Sequence, residues 1–259
     1  MLDIKDAKVA IPVVLIAGLF WSFGPYVVRH IDEAQQVPWQ YLFTRGVVIF
    51  TILNLFLYLE EGSEFFENYK KIGISGLIGG VGLGIAMISF IYSITNTSAA
   101  VTLLCLAAMP FITALLGFTF LKESISTNVW VAISIAAIGI LIMAIDNTGS
   151  NTIIGLVFGL LSSVGFAVFS TTLRWKKDTP KFTTVALAGL FCCIFSGIMI
   201  LVNDLNFLST GKNHALFATH GTLVCLGLIL YSIGSKNIPA AELTLLSLTE
   251  VIGGIFWVW

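Results

Sequence analysis

The chain has 259 residues, 57% hydrophobic and 10% charged, with a formal net charge of −1 and a mean hydropathy of +0.97. A soluble domain carries about 25% charge, so this chain cannot cover a water-facing surface and needs lipid as most of its solvent. The near-zero net charge also excludes a basic field for nucleic acid and an acidic tail.

In hydrocarbon the backbone must satisfy its own hydrogen bonds, which leaves helices or closed barrels. The apolar runs are about 18–22 residues long, the length a helix needs to cross ~30 Å, so an all-α polytopic bundle is expected. The first run follows Lys5 and Lys8 as a signal peptide would. It lacks a small-residue cleavage site and continues through aromatic residues to Val28, so it reads as the first span. Nine spans follow in order, at 9–28, 39–58, 73–94, 99–120, 128–145, 152–173, 183–202, 216–234 and 239–259. The breaks carry turn residues, among them Asn96-Thr97-Ser98, Asp146 to Ser150, and Lys236 to Pro239. No break is long enough for an extramembrane domain.

Orientation follows from the cations. With the N-terminus in the cytoplasm, the inner side holds Lys5, Lys8, Lys70, Lys71, Lys122, Arg174, Lys176, Lys177, Lys181 and Lys236. The outer side holds only Arg29 and Lys212, while Arg45 sits within the second span. The N-terminus is therefore expected inside, in a multi-pass protein of the cell (inner) membrane. Cys105, Cys192, Cys193 and Cys225 all lie inside apolar runs and read as packing residues.

One unit is written twice. Tyr92-Ser93-Ile94, a polar turn, Ala99-Ala100 and Thr102-Leu103-Leu104 match Tyr231-Ser232-Ile233, a polar turn, Ala240-Ala241 and Thr244-Leu245-Leu246. The copies are about 140 residues and five helices apart. Five is odd, so the second copy lies upside down in the membrane. Two antiparallel, near-equivalent halves can exchange conformations and open a shared midplane site to each side in turn, which implies transport. The expected halves are 1–147, with five spans, and 148–259, with four.

At these residues the chain resembles the drug/metabolite transporter superfamily, in particular its EamA-like branch. The resemblance rests on LFWSFGPYVVR with Trp21, YLFTRGVV with Arg45, SAAVTLLCLAAMPFITALLGFTFLKES with Pro110 and Glu123, and AAELTLLSLTEVIGGIFWVW with Glu250. It implies a carrier of two inverted five-helix repeats that moves small organic solutes, among them amino acids, nucleotide-linked compounds and drugs. The cavity it implies is framed by the first, third, fourth, sixth, eighth and ninth helices. Two departures stand out: Val251 follows Glu250 where the family has proline, and the sequence stops at Trp259 without the family's tenth helix. The latter reads as a truncation.

Several side chains are candidates for the site. Glu250 lies about 16 Å into the ninth span at ~1.5 Å per residue, near the midplane. A charge there costs at least ~2.5–3.5 kcal/mol, so it is expected to face the interior as a coupling or substrate-contacting acid, or to fix one helix against another. Arg45 is expected to hold an anionic group of the substrate, to snorkel outward, or to pair with an acid. Trp21, Tyr92, Phe166 and Tyr231 offer aromatic surface with Phe23, and Thr102 and Ser247 offer hydroxyls; interfacial packing is the plainer reading of the aromatics. Pro110 should kink the fourth span, at the site or for packing alone. Glu123 either gates the inner mouth or is an ordinary solvated charge at a helix end, and the latter is the favoured expectation. Gly76, Gly80 and Gly84 form a close-packing stripe, and Ser98 reads as a helix cap. His30, His214 and His220 show no metal-ligand spacing, and no cofactor or metal is expected.

Together these readings indicate a secondary transporter and not an enzyme. Its expected partners are the bilayer and a small-molecule substrate such as an amino acid, with either coupling to protons through Glu250 or an uncoupled facilitator, and with export favoured by the resemblance. No nucleic-acid partner is expected, and a homodimer is compatible. The alternatives are a truncated, non-transporting remnant or assembly subunit and, more remotely, an intramembrane enzyme.

Overall fold

The computed structural model describes residues 7–131, 133–135, 138, 153–176 and 178–258. Among them no strand occurs, and eight helices are long and apolar enough to cross a membrane. They are Lys8–His30, Pro38–Lys71, Gly73–Asn96, Ala99–Leu121, Ile153–Trp175, Lys181–Val202, Gly211–Gly234 and Ala240–Trp257. These correspond to the first four and last four predicted spans, whose ordinal numbers are kept below. The predicted fifth span, 128–145, lies for the most part outside the described residues, as does the predicted boundary between halves at 147–148. The protein is an all-α, multi-pass membrane protein.

Helix ends follow local chemistry. Ser98 caps the fourth span, its hydroxyl accepting from Val101 N at 3.3 Å. Thr210 caps the eighth in the same way, accepting from Asn213 N at 3.2 Å. That cap starts the eighth helix at Gly211, five residues before the apolar run, because Lys212, Asn213 and His214 fill its first turn.

Polarity is arranged inside out. Large apolar side chains such as Leu59, Ile153 and Val202 face outward, whereas Ser22, Ser93, Thr102, Ser163 and Ser170 are buried. A bundle in lipid gains nothing by hiding leucine, so its helices are held by close packing and by hydrogen bonds between them. Ser162 donates from the sixth span to Ala86 O of the third at 2.9 Å, and Ser163 donates to Cys105 O of the fourth at 2.6 Å.

The third span is the axis of the assembly, packed along its length on the sixth and on the seventh. Gly82 and Gly165 meet where third and sixth cross: a Cβ at Gly165 would lie 2.6 Å from Gly82 O and 2.9 Å from Ala86 N. Gly76, Gly80 and Gly84 face the seventh span, against Thr184, Leu187 and Phe191, as the predicted stripe requires. The second span packs on the seventh and eighth, the first on the eighth, and the ninth closes against the first and fourth.

Because the atoms facing Gly165 are backbone, a methyl there forces the third and sixth spans apart. Gly165→Ala is expected to lower unfolding stability by ~1–3 kcal/mol, the usual cost of overpacking. Gly211→Ala, where an added Cβ meets nothing within 4 Å, is expected to leave it within about 0.5 kcal/mol. Unfolding of the detergent-solubilised variants, followed side by side, checks the contrast.

Candidate functional site

Among the described residues, the first, fourth and ninth spans are each broken where they border one interior cavity. The first stops at Trp21 and resumes at Phe23. The fourth stops at Leu106 and resumes at Met109, and the ninth stops at Ser247 and resumes at Thr249. Proline explains two of these, since its ring clashes with the carbonyl four residues earlier. Pro25 points back to Trp21, and Pro110 to Leu106. The ninth span breaks without proline. There Ser247 Oγ donates to Thr244 O at 2.8 Å and Thr249 Oγ1 lies 3.1 Å from Leu246 O, local bonds that compete with the helix ladder.

The cavity has about 60 Å³ of room for water-sized molecules, enough for roughly four or five waters. Trp21, Arg45 and Glu250 reach it from the first, second and ninth spans, and Leu106 and Met109 flank it at the fourth-span break. Met87 and Phe90 of the third, Ser162 and Phe166 of the sixth, and His220 and Val224 of the eighth complete most of the wall. Trp21 is fixed by donating Nε1–H to Val224 O at 3.2 Å and packs edge-on to Phe166 at 5.4 Å.

Arg45 dominates the electrostatics. It is only 4% exposed, and Nε and Nη1 are buried without a hydrogen-bond partner among the described residues. Its helix is brought close by a glycine, as a Cβ at Gly221 would lie 3.3 Å from Arg45 Cα. Glu250 is the acid within electrostatic reach of Arg45 and faces the same cavity, yet no ion pair within 4 Å joins them. A cation and an acid thus oppose one another across aromatic walls with space between. His220, 1% exposed, is hydrogen-bonded through Nδ1 to the hydroxyl of Tyr41, which stacks on Phe217 at 4.8 Å.

Trp21, Arg45, Phe166 and Glu250 therefore meet at one cavity. Tyr231 stands behind its wall, fully buried, bonded to Ser170 Oγ at 2.6 Å and packed on Trp21 and Phe166. Tyr92 lines a separate apolar cavity of about 460 Å³ with Trp39, Phe158 and Phe195. The hydroxyl of Thr102 is paired with Ser93 Oγ at 2.8 Å, and that of Ser247 is spent on its own helix. Phe23 stacks on Trp257 at 4.7 Å. Pro110 sets the break beside Met109 and is not itself among the lining residues. His220 has no metal-ligand spacing in the sequence, yet an ionisable group in mid-span is itself a signal.

Glu123 is not the solvated charge the sequence suggests. Its carboxylate pairs with Arg174 at the end of the sixth span at 3.0 Å and accepts from Ala240 N at 3.0 Å, capping the ninth. Arg174 also donates to Lys236 O at 2.9 Å. This clasp ties the fourth, sixth and ninth spans at one end of the bundle. At the other end Lys212 pairs with Asp32 at 2.6 Å, and Asn213 Oδ1 accepts from Asp32 N at 3.0 Å, tying the first–second turn to the eighth span.

Comparison with known proteins yields three kinds of match. The model of the EamA-like transporter family matches residues 8–145. Two relatives, each named an uncharacterized transporter, come from Helicobacter pylori strains J99 and 26695. They are 24% and 25% identical, over 95% of this chain and 84% of theirs. A crystal structure at 16% identity superimposes with a TM-score of 0.73, covering 96% of this chain and 86% of that one, which shows a shared fold.

The Glu123–Arg174 pair is part-buried, so its coupling should exceed that of a fully solvated pair. A double-mutant cycle of Glu123→Gln and Arg174→Gln, read from unfolding in detergent, is expected to give a coupling of about 1 kcal/mol that shrinks at high salt.

Proposed function

The chain belongs to the EamA-like transporter family, and from that premise we propose that this multi-pass transporter is a secondary carrier working by alternating access. Its substrate is a small amphipathic metabolite such as an amino acid. Arg45 and Glu250, facing one aromatic-walled cavity without pairing to each other, carry this reading. Opposed charges of that kind suit the two poles of a zwitterion, and Trp21 and Phe166 suit an apolar side chain. The direction is export and the N-terminus is cytoplasmic, readings that rest on the resemblance and on the distribution of cations. Of the lining groups an intramembrane enzyme could use, the hydroxyl of Ser162 is spent on Ala86 O and Nδ1 of His220 on Tyr41.

Two inverted halves account for the packing. Exchanging first with sixth, second with seventh, third with eighth and fourth with ninth turns the third–sixth contact into the eighth–first. It likewise turns third–seventh into eighth–second, and fourth–sixth into ninth–first. The half-helices Ala99–Leu106 and Ala240–Ser247 correspond under the same exchange and are both 8 residues long. Broken helices at a repeat interface are where carriers of this architecture hold solutes. The Glu123–Arg174 clasp then belongs to the inner mouth, and the Asp32–Lys212–Asn213 cluster to the outer. Rocking of the halves requires each to open in turn.

Purified protein in proteoliposomes, assayed with a panel of labelled neutral amino acids, is expected to show saturable flux accelerated by unlabelled solute on the opposite side. Arg45→Gln should reduce it at least tenfold. Glu250→Gln should abolish its response to a pH gradient; an unchanged response would reject Glu250 as the proton carrier. Failure of every member of the panel to exchange would reject the amino-acid reading.

A further inference from the structure

The hydrogen-bonded pair Tyr41–His220 is a buried polar device that the transport reading leaves without a task. Tyr41 lies one turn before Arg45, so both side chains leave the same face of the second span toward the eighth. Tyr41 is 1% exposed, and the only hydrogen-bond partner of its hydroxyl among the described residues is His220 Nδ1. A phenol buried in an apolar bundle must find an acceptor for its proton. If Nδ1 carried a hydrogen, it would donate to the phenolic oxygen and leave the Tyr41 proton with no acceptor. Tyr41 therefore donates and Nδ1 accepts, so the imidazole is neutral with its hydrogen on Nε2.

That Nε2–H has no protein acceptor among the described residues. It faces a glycine of the first span: a Cβ on Gly24 would lie 3.2 Å from Nε2. His220 and Arg45 line the same cavity, and the residue after His220 is Gly221, the point at which the eighth span closes on Arg45 Cα. The cavity thus holds a buried guanidinium short of acceptors and, beside it, an imidazole N–H without one. Both are donors, and neither has a protein anion bonded to it.

We propose that His220, held in the Nε2–H tautomer by Tyr41, is the second donor of an anion pole headed by Arg45, and that the pole binds the carboxylate of the solute. Tyr41 is a positioning residue: its hydroxyl bonds to His220, its ring stacks on Phe217, and it is not among the residues lining the cavity. This deepens the transport reading, because it rests on the cavity being the solute site, and it identifies the carboxylate as the group that the second span recognises. A neutral N–H beside the guanidinium adds direction without adding a second positive charge, so a planar carboxylate is oriented as well as attracted.

Two measurements test it. In ¹⁵N-histidine-labelled protein, with the three histidines distinguished through His220→Gln, wild-type His220 is expected to show a bare Nδ1 and a protonated Nε2 at neutral pH. Tyr41→Phe, which keeps the stack on Phe217, should give mixed tautomers. Protonated Nδ1 in the wild type would overturn the assignment. Calorimetric binding of benzoate and of benzyl alcohol, matched in shape but not in charge, is the second. Wild type should prefer benzoate at least about tenfold, the worth of a hydrogen bond to a charged group. His220→Leu should weaken benzoate about tenfold and benzyl alcohol hardly at all, while His220→Gln, whose amide N–H replaces Nε2–H, should retain most of the preference. Equal binding of the two probes, or an unchanged preference in His220→Leu, would overturn the proposal. Because flux is not measured, benzoate selectivity in a protein that moves no solute would support the anion pole while rejecting the transport reading.

Discussion

A guanidinium inside a bundle whose outer solvent is hydrocarbon must be solvated by something, and here the protein supplies very little. Arg45 is almost wholly buried, with two of its nitrogens lacking partners. Insertion scales put the cost of such a residue at ~2.5–3.5 kcal/mol near the helix centre, before any penalty for missing hydrogen bonds. Nothing in the packing requires this. A leucine would fill the volume more cheaply, so on the proposed reading the cost is offset by what enters the cavity. Water can occupy the roughly 60 Å³ there, and a carboxylate can replace it.

The surrounding architecture follows from holding that charge in place. Small residues bring the second span against its neighbours, with Gly221 at Arg45 Cα. Larger residues at such contacts would separate the helices and let lipid reach the charge. The three breaks, at Ser22, Ala107–Ala108 and Leu248, free backbone at the level of the cavity, which irregular structure can tolerate only where it meets protein or a polar interior. They also divide spans into half-helices, whose ends are tied by separate polar clasps at the two ends of the bundle. Those clasps are part-buried or exposed and so individually weak, as the proposed opening of each mouth in turn requires.

Much of this was legible in the sequence. The eight described spans followed from apolar length alone, and the cap at Ser98 and the stripe at Gly76, Gly80 and Gly84 followed from residue type. Of the site, Trp21, Arg45, Phe166 and Glu250 were legible because an aromatic or ionisable residue in mid-span has few bland explanations. Tyr92, Tyr231, Thr102 and Ser247 were not separable from them. A hydroxyl facing a solute and one bonded to Ser93, Ser170 or its own helix look identical in a sequence. For Glu123 the favoured reading, a solvated helix end, gives way to a paired carboxylate, because its partners Arg174 and Ala240 N lie 51 and 117 residues away in sequence. His220 was visible but was tested for the wrong chemistry, since its meaning depends on Tyr41, 179 residues distant.

The central claim is that the Arg45 cavity is reached alternately from the two faces of the membrane. Met109, at the break in the fourth span, lines it and is 2% exposed. Met109→Cys, placed in a background with the four native cysteines replaced, can be challenged with a membrane-impermeant thiol reagent in right-side-out and in inverted vesicles. Modification from both faces is expected, slowed in each case by a transported solute. Modification from one face only, or from neither, would contradict it.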